Sequence, residues 1–155
     1  MDFSKAKVFK FTFQESAISG FISVEINKSK FGLWDLTIKE SKRPFGISKN
    51  DFIERKIKDA EVQKFFDKLK HIDFDEWNAW LAKQNAGVIP GSSWGLVISN
   101  GGTLGILSKN KIEVAGNGAF PKYFDWFCTL LVDLGAKSLT NAQFERNPYW
   151  EPHFI

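Results

Sequence analysis

A chain of 155 residues that holds one cysteine, two histidines and one methionine has little of what most catalytic and metal-binding chemistry needs. With Cys128 alone, no disulfide can close within the chain, and a reducing compartment is the simplest setting. His71 and His153 cannot make a His-x₃-His pair, no Cys pair exists and no Asp-rich calcium loop is present, so no dedicated metal site is expected. Long apolar runs are missing too: nothing reaches the roughly 20 uninterrupted residues of a bilayer span. Residues 1–10 carry charge where a secretory signal needs an apolar core. These scarcities predict a cytoplasmic protein with no cofactor and no membrane partner.

What is abundant is aromatic: 16 Phe and 6 Trp in a chain 43% hydrophobic, which argues for a packed core and against disorder. The length suits one domain, 1–155, with internal loops at 41–50 and 84–93 and a tail from 136 to 155 packed on the domain. The net charge of +3 comes from 21 basic against 18 acidic residues. Lys28, Lys30, Lys42, Arg43, Lys56, Lys68, Lys83 and Lys109 are scattered among acids, which reads as a solvated surface and not as a nucleic-acid stripe.

Alternation supplies the strands. Phe9, Phe11 and Phe13 recur at period two, as do Ile22, Val24 and Ile26, and then Trp34, Leu36 and Ile38, which predicts an antiparallel meander. Pro44 and Gly46 interrupt the pattern. Val62, Phe65, Phe66 and Leu69 then form one stripe of a helix, and Trp77, Trp80 and Leu81 share a face of a second, over 73–83. A second strand group is expected at 94–99, 103–108 and 112–115, with Asn100-Gly101 as a hairpin turn. A last helix carries Phe127, Leu130, Leu131 and Leu134 and stops at Gly135. The expected fold class is α+β: about six antiparallel strands in two three-strand groups, packed with two to three helices. Trp34-x-Leu36-x-Ile38 and Trp94-x-Leu96-x-Ile98 echo one another, either as a duplicated βββα unit or as a recurrence within a narrow set of strand residues.

Four stretches could carry chemistry. Gly116-Asn-Gly118-Ala-Phe-Pro121 reads as strand, glycine loop and helix, the layout of a phosphate site, but Pro121 occupies the position where a dinucleotide fingerprint needs Gly or Ala. A turn that directs Phe120 into the core, with Pro121 as first helical residue, fits better. Gly91-Ser-Ser93-Trp-Gly95 matches a nucleophile elbow in letters only, because the strand follows the serine instead of preceding it. Asp73, Asp75 and Glu76 suit a helix start. Cys128 reads as a small buried hydrophobe.

The remaining signal is the tail, where Tyr149, Trp150 and Phe154 are too apolar for a free terminus. It either covers a sheet face or edge, or presents an anchor to a partner. With Trp77 and Trp80 these residues form the candidate partner-binding set; no residue is assigned to catalysis.

The segment from Trp94 to Leu134, a Trp-led strand, further strands, then Gly116, Phe120 and Pro121 ahead of the last helix, resembles a loose group of small bacterial proteins of immunity type. The resemblance implies a binding role. The expected function is therefore non-catalytic protein binding, with a toxin as the partner to be neutralised. Two alternatives stand beside it: single-strand nucleic-acid binding by aromatic stacking, and an enzyme site assembled from remote residues such as His71, Asp73, Glu76 and Ser93.

Overall fold

Phe9, Phe11 and Phe13 fall on one side of a strand and are all buried, and the sheet is built outward from that strand. The computed structural model describes residues 2–15, 20–29, 31–42, 49–84, 92–100, 111–137 and 139. They form six strands, β1 (Val8–Glu15), β2 (Gly20–Lys28), β3 (Trp34–Lys42), β4 (Lys49–Ile57), β5 (Ser92–Ser99) and β6 (Lys111–Asn117). Three helices follow the same order, α1 (Asp59–Leu69), α2 (Phe74–Ala82) and α3 (Phe124–Leu134). The strands make one antiparallel sheet in the order β4-β3-β2-β1-β5-β6, an α+β architecture. Among the described residues the grouping is a four-strand meander with a two-strand extension on the far side of β1. The sequence-predicted strand 103–108 and Gly101 of the predicted turn lie outside the described residues.

The strand β4 was not expected; the sequence reading placed a loop over 41–50 and a helix after it. Its inward phase holds Ile53, Arg55 and Ile57, so a charge interrupts the apolar row and no alternation stands out. That is tolerable at a sheet edge, where Arg55 reaches across to Glu61 of α1 at 3.3 Å. Ser92 and Ser93, read as loop, open β5.

All three helices pack on the face made by the buried phase. Phe65 of α1 meets Phe9 edge-on at 4.9 Å between ring centres, and Phe127 of α3 meets Phe11 at 5.3 Å. Trp77 of α2 sits edge-on to Trp94 at 5.9 Å. The stripes predicted for α1 and α3 are buried throughout. In α2, which falls where it was expected, the buried pair is Phe74 and Trp77, while Trp80 and Leu81 are half-buried, so burial is shifted toward the start of the helix relative to the predicted triplet.

Each inward indole N–H has a partner, as buried donors require. Trp34 donates to the Asp59 carboxylate at 2.9 Å, Trp94 to the Ala119 carbonyl at 2.9 Å and Trp77 to the Lys122 carbonyl at 2.7 Å. The two echoing triplets are both wholly buried, and the register sets Trp34 and Trp94 at opposite ends of the inner face. Strand order is symmetric about the β1–β2 pair, so β3 and β5 occupy matching places, each followed by an edge strand and a helix. In both halves the tryptophan ties down the chain near the start of that helix.

Gly116 explains itself here. It pairs with Trp94, and a Cβ at this position would lie 2.4 Å from Trp94 Nε1 and 2.8 Å from the Ala119 carbonyl oxygen. The reason for this glycine is close approach of the indole; the turn itself falls on Gly118, at φ 67°. Gly116→Ala is expected to cost roughly 2–3 kcal/mol by overpacking, whereas Gly95→Ala, whose new Cβ meets Thr12 Oγ1 at an ordinary 3.6 Å, stays within about 0.5 kcal/mol. Urea unfolding of the two variants checks the contrast.

The Trp34–Asp59 contact has a pH signature. The indole N–H, then the Gln63 amide, and to a lesser degree the charge of Lys28 hold the Asp59 carboxyl below its usual 3.8, against a small opposing effect of desolvation. A depressed carboxylate stabilises the fold above its unfolded value and loses that contribution as pH falls through the folded one. Between about pH 5 and the region below 3.8, Asp59→Asn is therefore expected to lose stability less steeply than the wild type. Unfolding at a series of pH values reads this slope, and identical slopes would contradict the contact.

Candidate interaction face

With the helices on one side, the opposite phase of every strand forms an outer face on which no described helix or strand packs. Its rows follow from the register. Phe52, Lys39, Ser23, Thr12, Gly95 and Ala115 run across the sheet in one row; Glu54, Thr37, Glu25, Lys10, Val97 and Glu113 make the next. Lys56, Asp35, Asn27, Val8, Ser99 and Lys111 form a third. Four lysines thus stand among four carboxylates, several of them tied together: Lys56 to Asp35, Lys111 to Glu113 at 3.2 Å, and Asn27 to Glu25 at 2.6 Å. The face has no excess of either sign.

Two aromatic rings break its polarity. Phe21 is 39% exposed and Phe52 58%, with the Lys39 ammonium 5.8 Å from the Phe52 ring centre. They lie on β2 and β4, either side of β3, at one end of the sheet. Sequence reading passed over both because each sits out of phase with the apolar row of its strand. An aromatic in the polar phase of an alternating strand was the available signal.

Most sequence-level candidates go elsewhere. Trp77 is 2% exposed and packs against Phe74, Trp94 and Phe127, so it serves the core. Trp80 is half-buried on α2. Tyr149, Trp150 and Phe154 lie outside the described residues. Asp73 caps α2 by accepting the Glu76 N–H at 3.1 Å, the role its position suggested. Ser93 belongs to the outer phase of β5, next to the inward Trp94, whereas His71, Asp73 and Glu76 lie on the helical side; the fold does not gather them. No group of three or more His, Cys, Asp or Glu among the described residues is placed to hold a metal, and no described helix is long and apolar enough to cross a membrane.

The glycine loop is filled by its own side chains. Gly118, Ala119, Phe120 and Pro121 are buried, and the Phe120 ring stacks on Phe13 at 6.1 Å and meets Phe124 at 5.1 Å. Pro121 is not the first helical residue, as expected, but part of a turn whose carbonyl accepts the Phe124 N–H at 3.1 Å. The helix begins only after Tyr123, which adopts a left-handed φ of 73° and offers no side-chain cap. An anion would have to displace the core to reach these amides.

A shallow groove of about 200 Å³ separates α1 from α3. Phe65, Leu130 and Leu134 floor it, and Glu61, Lys64, Lys68 and Asp133 rim it. It contains no nucleophile with an adjacent base. Compared with family models, curated proteins and solved structures, the chain has no match.

Cys128 lies inside α3, and burial, with a smaller push from the Asp125 carboxylate, raises its thiol well above the ordinary range. The thiolate is the reactive form, so a disulfide reagent is expected to leave the native protein unmodified and to titrate one thiol after unfolding. Rapid reaction of the folded chain would contradict the burial.

Proposed function

We propose that this chain acts without catalysis, by binding another protein through the outer face of its sheet, in the manner of a toxin-neutralising immunity protein. The observation that carries the reading is the pair Phe21 and Phe52, exposed on a face that no described element covers and that is otherwise mostly polar. A partner that buries two aromatic rings inside a border of mixed charge gains apolar area at the centre and orientation from the rim. Balanced charge on the face suits a protein surface of mixed sign better than a phosphate backbone, which rewards lysines and repels carboxylates.

Stacking of single-stranded nucleic acid is the second reading, and one observation favours it: Phe21 and Phe52 flank a lysine. The two readings separate experimentally. Wild-type protein is expected to retain a stoichiometric protein partner from a bacterial lysate, and Phe21→Asp with Phe52→Asp to lose it while melting at nearly the same temperature. Retention that is indifferent to the two substitutions would remove this face from the interaction. Salt-sensitive binding of an oligonucleotide, lost in the same variant, would move the assignment to nucleic acid.

A further inference from the structure

Among the described residues the apolar side chain most exposed to solvent is Phe31, at 89%, with Leu33 beside it at 53%. Both belong to the turn that joins β2 to β3, closed by the Ser29 N–H donating to the Leu33 carbonyl at 2.7 Å and by the Gly32 N–H donating to Ser29 at 3.2 Å. Gly32 takes a φ of 76°, and a Cβ there would meet nothing within 4 Å, so this position of the turn faces open space. A ring held outward on a tight turn loses apolar hydration only if something receives it.

Lysines outnumber carboxylates around the turn, where Lys7, Lys28, Lys56 and Lys58 stand with Asp35 and Asp59, and the Lys28 ammonium lies 5.6 Å from the Trp34 ring centre. Lys28 ends β2, and its backbone N–H donates to the Lys7 carbonyl, which brings these two lysines together. Lys58, the cap residue before α1, follows Ile57, the partner of Trp34, and so lies at the same end of the sheet as Leu33. Lys7, Lys28 and Lys58 are all exposed, and none makes an ion pair with a described residue. The nearby carboxylates are engaged: Asp35 with Lys56, and Asp59 with Trp34 and Gln63.

We propose that this tip is a peripheral contact for anionic lipid, with Phe31 and Leu33 entering the interface and Lys7, Lys28 and Lys58 meeting the headgroups. The contact goes beyond the protein-binding reading and is a peripheral one that needs no membrane-spanning helix. The shape selects the occupant. A convex turn with two apolar side chains offers far less than the roughly 800 Å² that each partner contributes to a stable protein interface. A bilayer surface accepts a projecting apolar tip and adds attraction for each lysine.

Co-sedimentation with vesicles of phosphatidylserine and phosphatidylcholine in equal parts tests this on the full chain. The wild type is expected to bind these vesicles and not pure phosphatidylcholine, with binding that weakens as salt is added. Phe31→Ala should lower partitioning roughly tenfold or more, and Lys7→Gln, Lys28→Gln or Lys58→Gln roughly fivefold each. Phe52→Ala, on the outer face, should leave it unchanged, and equal melting temperatures establish that each variant is folded. Absence of wild-type binding to the acidic vesicles, or equal binding by Phe31→Ala, would overturn the proposal. So would loss of a captured protein partner on Phe31→Ala without any vesicle binding, which would assign the tip to a protein.

Discussion

Of the described glycines, Gly116 is the one approached most closely, by the Trp94 indole whose N–H lies on the Ala119 carbonyl. Side chains at both positions face inward, so any larger residue on β6 would force the ring away from the sheet. With the ring seated, Trp77 meets it edge-on and Phe124 packs at 4.7 Å, which sets α2 and the beginning of α3. Phe120 fills the space before that helix. The stretch that resembles a phosphate loop is therefore a packing device: one glycine makes room for an indole and another reverses the chain.

The opposite half of the inner face uses the same solution with different atoms. Trp34 ties β3 to the first residue of α1 through a carboxylate, where Trp94 uses a backbone carbonyl. Gly135 closes α3 with a φ of 126° close to Ile38 and Ile53, so the last helix crosses from the β5 side of the sheet to the β4 side. Two tryptophans at opposite ends and a helix laid between them cover most of the inward surface, with Ile53 at the β4 edge left 38% exposed. Surface for recognition is then to be sought on the outer phase and the turns, which is where Phe21, Phe31, Leu33 and Phe52 are found.

Much of this could be read in the chain itself. Period-two phenylalanines on β1 and the stripes of α1 and α3 reflect burial on one side, which leaves a direct trace in the residue pattern. The strand β4 left none, since a strand with one neighbour among the described residues can carry Arg55 in its inward phase and pair it with Glu61 on α1. Trp77 and Trp80 look alike in sequence, but only the arrival of α2 against Trp94 decides that one is buried and the other half-buried. The exposed phenylalanines were hidden for the opposite reason: the eye follows apolar residues that agree in phase, and these two do not. Function leaves the faintest trace, because a binding face needs no fixed spacing of reactive groups.

The central claim is that recognition takes place on the outer sheet face and not on the helical side. A photo-crosslinking amino acid placed at Phe52, and separately at Asp133 on the rim of the helical groove, tests it inside cells. The account predicts a discrete protein adduct from position 52 and none from position 133. An adduct from position 133 alone would place the interaction on the helices and contradict it.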